Sequence, residues 1–109
     1  MLTDSCEQIF NLNGVNINCR FKYKWSYFLE LKHLVSHIEF ISLAYGKPND
    51  ISETGYKSEF IMNEQHEAFS NIKDLIKSYL NHNKIKVHNL DFELKEERER
   101  FVQECFLFN

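Results

Sequence analysis

Histidines give this 109-residue sequence its widest choice of chemistry, because imidazole serves both as a metal ligand and as an acid–base group near neutral pH. His33 and His37 lie four apart, so on a helix they would share a face and could ligate one metal ion. Glu30 or Glu39 would then supply a third ligand. On a strand the two histidines would lie too far apart for one ion. Because no HExxH motif is present, a small metal-dependent enzyme using His33, His37 or His66 is only the third hypothesis for function.

The three cysteines, Cys6, Cys19 and Cys105, are odd in number and show no CxxC spacing, which favours reduced thiols over a disulfide framework. Cys6 and Cys19 fall in one predicted hairpin, whose pairing makes them diagonal neighbours about 7–8 Å apart, too far for an easy disulfide. The first residues lack a signal-peptide pattern, and no apolar run approaches the roughly 20 residues of a membrane span. We therefore expect a cytoplasmic protein that does not enter a membrane.

A β-hairpin is the element that the sequence predicts most directly. Residues 15–25 alternate apolar and polar side chains, which is typical of a strand with one buried face and one wet face. Asn13 and Gly14 precede this run, and both tolerate the positive φ angles that a two-residue hairpin turn requires. The resulting register pairs Leu12 with Val15, Phe10 with Ile17, Gln8 with Cys19, and Glu7 with Arg20.

This register separates a core-facing side of the hairpin from a polar side. The core-facing side of the second strand continues to Phe21, Tyr23 and Trp25, and the polar side carries Arg20, Lys22 and Lys24. Basic residues on a strand could follow a phosphate backbone, but a nucleic-acid platform needs its stacking aromatics on the same face. Since the net charge is also −3, nucleic-acid binding is the second hypothesis, and the sequence argues against a nucleic-acid partner.

The middle of the chain is predicted to extend the sheet. A bend near Ser26, a strand somewhere within 27–35 and a strand near 37–44 are expected from the β-branched and aromatic residues there, with a helix over 27–36 as the alternative. Residues 46–50 have the composition of a turn. Residues 50–60 are predicted to form a structured loop in which Tyr56 and Phe60 plug the core, and a binding loop is the alternative.

Two helices are predicted in the C-terminal half. Asn63 has the character of an N-cap, and apolar residues recur at intervals of three and four from Ala68 to Leu80, which predicts an amphipathic helix of about five turns. This helix is expected to stop at residues 81–83. Residues 84–88 alternate and predict a short strand, after which Asp91 could cap a last helix with a charged outer face.

Together these elements predict a single α+β domain over residues 1–109, in which an N-terminal antiparallel sheet of three to five strands packs against two C-terminal amphipathic helices. The leading hypothesis for function is a non-enzymatic, cofactor-free inhibitor that binds a protein, such as a toxin-immunity protein or a phage-encoded blocker of a bacterial defence enzyme. Its support is a basic hairpin face set against an acid-rich last helix, either of which could dock a charged partner. The candidate partner-binding residues are Arg20, Lys22, Lys24, Glu53, Tyr56, Lys57, Glu96, Glu97 and Arg100.

Overall fold

The computed structural model describes residues 2–25, 35–44 and 46–92, and it confirms the predicted hairpin. Strand β1 (Cys6–Leu12) and strand β2 (Val15–Lys22) pair antiparallel in the predicted register, from Leu12 opposite Val15 to Glu7 opposite Arg20. Asn13 and Gly14 form the turn with φ angles of 51° and 90°. The register is correct because the turn type and the alternation of side chains impose the same pairing.

Three more strands of the described residues join the hairpin in an antiparallel sheet. Strand β3 (Val35–Ser42) pairs with β2, strand β4 (Tyr56–Met62) pairs with β3, and strand β5 (Leu90–Asp91) pairs with β1. The order across the sheet is β4-β3-β2-β1-β5, so β4 forms one edge of the sheet as described. The predicted α+β class is confirmed, the five strands within the described residues are at the top of the expected range, and the strand predicted near 37–44 is present.

The predicted five-turn helix is instead broken in two. Helix α1 (Asn63–His66) is a single turn, and helix α2 (Ile72–His82) starts after a bend. Asn63 is not the N-cap of α1, because Met62 holds that position. Asn71 caps α2, with extended φ and ψ angles and a side-chain oxygen that accepts the backbone N–H of Asp74. The apolar spacing continues across the break, which is why periodicity alone missed it.

The core lies between the sheet and α2. The inner face of the sheet is defined by Phe10, Ile17, Ile38 and Phe40, and all four of these side chains are fully buried or nearly so. The apolar residues predicted for this helix, from Ile72 to Leu80, turn toward that face, and the ring of Tyr79 packs 4.7 Å from the ring of Phe40. The other side of the sheet, which carries Arg20, His37 and Phe60, is called the outer face below.

Two predictions near the C-terminus are wrong. Residues 84–88 form no strand, and Asp91 lies in β5 rather than at a helix start. Both errors have one cause: pairing with β1, which is distant in sequence, selects Leu90 and Asp91 as the strand residues. The last predicted helix falls at residues 93–109, outside the described residues, as does most of the segment predicted as strand or helix over 27–36.

Candidate functional site

Two of the three cations of the predicted basic hairpin face lie beside carboxylates, and the third, the Lys24 ammonium, lies 5.2 Å from the centroid of the Tyr23 ring. The Arg20 guanidinium is 3.9 Å from the Glu7 carboxylate, as the predicted cross-strand pair requires. The Lys22 ammonium is 3.6 Å from the carboxylate of Glu39, on the neighbouring strand. Because Arg20 and Lys22 are paired with carboxylates within the sheet, their part of the hairpin is not the one-sign basic surface that the sequence suggested.

Trp25 lies on the outer face, and its predicted place in the core is wrong. Strand β2 ends at Lys22, and Lys24 adopts a φ of 49°, so the strand alternation does not continue to Trp25. The prediction does hold for Phe21, which is buried, and for Tyr23, which packs against the core. Trp25 stacks instead on Phe60, with ring planes 11° apart and centroids 5.9 Å apart.

Residues 56–60 belong to an edge strand and not to the predicted loop. Tyr56, Phe60 and Met62 all project from the outer face of β4, where they are 48%, 48% and 40% exposed, so Tyr56 and Phe60 do not plug the core. With Trp25 they make a row that we call the outer apolar surface. Of the other two residues predicted from this loop, Glu53 is exposed in the turn before β4, and Lys57 is half-buried on the inner face.

His37 and Glu39 form the polar centre beside this surface, and both are at least nine-tenths buried. The His37 ring lies 4.6 Å from the Trp25 ring and 5.1 Å from the Phe60 ring. Its Nδ1 atom makes no hydrogen bond within the described part of the chain and is 3.9 Å from a carboxylate oxygen of Glu39. Glu39 accepts a hydrogen bond of 2.8 Å from the Tyr56 hydroxyl. The His37 ring and the Glu39 carboxylate thereby connect β3 to the aromatic residues of the outer face.

The surroundings of His37 and Glu39 shift the pKa of both side chains. Burial lowers the pKa of His37, and Lys22 adds to the effect while Glu39 opposes it. Burial alone would raise the pKa of Glu39, but the Tyr56 hydroxyl and the nearby positive charges outweigh it and hold the pKa below its ordinary value. At neutral pH the site therefore contains a carboxylate and a neutral imidazole.

A groove of about 500 Å³ runs along the other side of β4, between that strand and α2. Its floor is apolar and includes Ile61, Phe69 and Leu75. The Tyr79 hydroxyl donates a hydrogen bond of 3.3 Å to the Glu59 carboxylate at the wall of the groove. We call this feature the edge groove.

The predicted histidine metal site is not assembled in the residues that the structure describes. His37 lies on the outer face, whereas His66 lies beneath the sheet edge against Phe21 and Tyr23, and His33 is outside the described residues. Within the described ranges no three His, Cys, Asp or Glu side chains converge as metal ligands. Cys6 and Cys19 are free thiols, as the diagonal register implied, and burial raises the pKa of the Cys19 thiol.

A buried hydrogen-bond network fixes His66. Its Nε2 atom lies 2.9 Å from the Ser36 hydroxyl and 3.1 Å from the Asn63 side-chain oxygen, and its Nδ1 atom lies 3.2 Å from the carbonyl of Leu2. The Ser36 hydroxyl in turn donates to Asn63 and accepts the backbone N–H of Lys24. Because Ser36 and His66 are fully buried, this network ties α1 to the sheet and is closed to a substrate.

A family model described as the KlcB third domain matches residues 6–96 of the chain. The chain belongs to this family. The match begins at the first residue of β1 and passes the end of β5, so the family includes every strand and helix given above. Neither the comparison with curated proteins nor the comparison with solved structures finds a match.

In this member of the family, the predicted partner-binding residues do not all lie on one surface. Arg20, Lys22 and Tyr56 share the outer face, whereas Lys57 and Glu53 lie elsewhere. Glu96, Glu97 and Arg100 are outside the described residues. None of the helices in the described part of the chain is long and apolar enough to cross a membrane.

Sequence reasoning missed Trp25, His37, Glu39 and Phe60 as neighbours. They come from three separate stretches of chain, and only the pairing of Lys22 with His37 and of His37 with Phe60 brings them together. One local signal was available. The outer-face residues of β4, Tyr56, Phe60 and Met62, all fall at even-numbered positions of a short run, which is the spacing of side chains on one face of a strand.

Proposed function

We propose that this domain of the KlcB third-domain family is a protein-binding module that docks through its outer apolar surface. The observation that carries the proposal is the exposure of Tyr56, Phe60 and Met62 in one row on an edge strand, beside Trp25. Aromatic residues and methionine are enriched in protein interfaces, and packing within a sheet does not require them to be exposed. The partner proposed here is accordingly a protein with an apolar docking surface.

The charges around the surface support a protein partner over a nucleic acid. Arg20 and Lys22 each have a carboxylate within 4 Å, and the Lys22 ammonium also lies 5.3 Å from the Trp25 ring. Binding to a phosphate backbone would require these carboxylates to approach the phosphates as well. When a protein covers a surface, charges that are already paired around the exposed aromatics lose less favourable hydration than unpaired charges would.

An inhibitory role is part of the proposal. A small domain can inhibit a toxin or a defence enzyme by covering the surface that the enzyme uses, which requires contact area and no chemistry of its own. The family is described as the third domain of KlcB, so in that protein a domain of this family is one part of a longer chain. A unit that forms part of a larger protein in its family is suited to act through contacts with other polypeptide surfaces.

The experiment compares two matched double variants of the full chain as bait in native lysate. Tyr56→Ser with Met62→Ser removes two members of the outer apolar surface, and Leu43→Ser with Val87→Ser removes two equally exposed apolar residues elsewhere. We expect a stoichiometric partner, identified by mass spectrometry, to bind the unchanged chain and the Leu43/Val87 variant, and to be lost from the Tyr56/Met62 variant. Binding should then be reproduced with the purified partner.

Three results would overturn the proposal: no stoichiometric partner, a partner retained by the Tyr56/Met62 variant, or equal loss from both variants. Unfolding by urea serves as the folding control for each variant. The inhibitory role is tested on the purified partner. Adding the unchanged chain at a one-to-one ratio should abolish the partner's activity, and the Tyr56/Met62 variant should leave the partner active.

Nucleic-acid binding is the second candidate, because Lys22 and Trp25 share the outer face. This placement removes the argument that the hairpin separates its cations from its aromatics. A gel shift with single-stranded RNA and DNA tests it. Retention that weakens steeply as salt rises, and that is lost in Trp25→Ala, would support this candidate, whereas no retention at low salt would reject it.

A further inference from the structure

Asn13 and Gly14, the turn residues of the first hairpin, form a dipeptide that can modify itself. Asn13 is the one asparagine in the sequence that is followed by glycine. Asparagine is a chemically labile residue, and a glycine after it leaves the next backbone nitrogen unhindered, since glycine has no Cβ. Gly14 is exposed, and a side-chain carbon placed on it would meet no atom of the described part of the chain within 4 Å, so water reaches the turn.

The reaction is deamidation, which needs no catalyst and balances with water alone. The backbone nitrogen of Gly14 forms a bond to the side-chain carbonyl carbon of Asn13, Cγ, and the bond from Cγ to Nδ2 breaks. The Nδ2 nitrogen leaves as ammonia and takes the proton of the Gly14 amide, so that a succinimide ring remains. Water then opens one of the two C–N bonds of the ring, which gives aspartate or, through the other bond, isoaspartate at position 13.

The fold holds the Asn13 side chain in other contacts. Its Nδ2 group donates to the Asp50 carboxylate and to the Lys86 carbonyl, each at 2.7 Å. Its Oδ1 atom accepts the backbone N–H groups of His88 and Asn89, at 2.6 Å and 2.9 Å. These contacts use both donors and both lone pairs of the amide, and they fasten the hairpin turn to the segment before β5.

The attacking nitrogen is held as well. The Gly14 N–H donates a hydrogen bond of 3.0 Å to the Asn11 side-chain oxygen. In order to reach Cγ, this nitrogen must leave Asn11, and the Asn13 side chain must turn away from its partners. Because these hydrogen bonds stabilise the closed arrangement, the reaction rate depends on the fraction of molecules in which the turn has opened.

We propose that Asn13 is a deamidation site that the folded turn protects, and that its conversion to aspartate weakens the contact between the hairpin and residues 86–89. A carboxylate has no N–H to donate, so the hydrogen bonds to Asp50 and to the Lys86 carbonyl are lost. An oxygen then replaces Nδ2 at 2.7 Å from the Asp50 carboxylate, where like charges repel. The two backbone N–H groups keep their acceptor, so the contact is weakened and not abolished. This modification does not depend on which surface of the domain binds the partner.

Mass spectrometry of the full chain measures the protection. The chain is incubated at one pH and temperature, either folded or unfolded in guanidinium chloride, and the peptide that contains Asn13 is followed for aspartate and isoaspartate. We expect conversion to be at least about tenfold slower in the folded chain, because several hydrogen bonds must open first. Asp50→Ala removes one of these bonds and should speed conversion in the folded chain by about two- to tenfold.

Glu53→Ala is the matched control for Asp50→Ala, because it changes an exposed acid of the same loop, and it should leave the rate unchanged. Equal rates in the folded and unfolded chain, or a reaction that is no faster in Asp50→Ala, would overturn the inference.

Two variants test the consequence of the modification. Asn13→Asp should unfold at a lower urea concentration than the unchanged chain. Asn13→Asp with Asp50→Asn returns a donor opposite the carboxylate and should recover much of the loss. Asn16→Asp is the matched control and should unfold with the unchanged chain, because the Asn16 side-chain oxygen is an acceptor in the same hairpin, a role that a carboxylate keeps. A midpoint that Asn13→Asp does not lower, or that Asp50→Asn does not raise again, would contradict the inference.

Discussion

The inner and outer faces of the sheet are built from the same strands but differ in what their aromatic residues do. On the inner face, Phe10, Phe21 and Phe40 are at most 1% exposed and belong to one core. On the outer face, Tyr56 and Phe60 are each about half exposed, next to the buried polar pair His37 and Glu39. Core packing accounts for these three inner-face rings, whereas the outer face holds apolar surface that folding alone does not require. The outer face is therefore the place to look for a partner site.

The largest expected effect separates the two faces by stability. Phe10→Ala should lower the free energy of unfolding by about 3–5 kcal/mol, because it leaves a cavity against Phe40. Phe60→Ala should lower it by about 1 kcal/mol, because half of that ring is already in water. Urea unfolding monitored by circular dichroism measures both. Equal losses would mean that Phe60 is a core residue and that the two faces do not differ as described.

A second prediction concerns the buried network at the edge of the inner face. Ser36→Ala should cost about 1–3 kcal/mol, because it removes the hydroxyl that bonds to His66, to Asn63 and to the backbone of Lys24. Ser58→Ala on the outer face of β4 is the matched control and should change stability by no more than about 0.5 kcal/mol. The same urea experiment decides between them, and a loss confined to the control would refute the role given to the network.

Acid should weaken the fold through both faces. Burial lowers the pKa of His66, with the Leu2 carbonyl and Glu67 opposing it, and burial also lowers the pKa of His37. The unfolded chain therefore binds these protons more readily, so the stability that the neutral histidines provide is complete above the ordinary value of 6.5 and is lost as the pH falls below it. The free energy of unfolding, measured between about pH 7.5 and about pH 5.5, should fall on acidification.

A double variant sharpens that prediction. His37→Gln with His66→Gln should flatten the dependence of stability on pH over this range, even if it lowers stability at every pH. The contrary result is a slope as steep as that of the unchanged chain. Comparing the two single variants then divides the effect between the outer-face histidine and the histidine of the buried network.

The smallest expected effect is on the outer face. Lys22→Gln should change stability by less than about 1 kcal/mol, since the Lys22 end of the pair is in contact with water and the Tyr56 hydroxyl still donates to Glu39. It should nevertheless raise the pKa of Glu39, because Lys22 is one of the charges that hold that pKa down. A carboxylate titration by nuclear magnetic resonance measures this, with Lys24→Gln as the control that leaves the Glu39 pKa in place. No change in Lys22→Gln would show that the pair does not form in solution.

The sequence predicted the parts of the fold that local rules determine. The hairpin register follows from Asn13, Gly14 and the alternation after them, and the apolar residues of α2 follow from helical spacing. The errors arise where distant contacts decide: Leu90 and Asp91 become a strand only by pairing with β1. Trp25 was misplaced because the positive φ of Lys24 interrupts an alternation that continues in the letters of the sequence.

Little of the candidate site could be predicted in the same way. Tyr56 and Lys57 were both proposed from one loop, but the strand alternation places them on opposite faces. Glu59 was not proposed at all, because its contact with Tyr79 depends on the position of a helix 20 residues away in the sequence. Both cases need the strand register and the helix position, which no local pattern in residues 50–60 supplies.

Hydroxyl-radical footprinting of the domain, free and bound to its captured partner, tests the central claim most directly. Trp, Tyr, Phe and Met side chains are oxidised according to their exposure, and all four types occur in the outer apolar surface. We predict that Tyr56 and Met62 are oxidised in the free domain and protected in the complex, while Phe10 and Phe40 are unreactive in both. Equal oxidation of Tyr56 and Met62 in the free and bound states would contradict the claim that the outer face is the binding face.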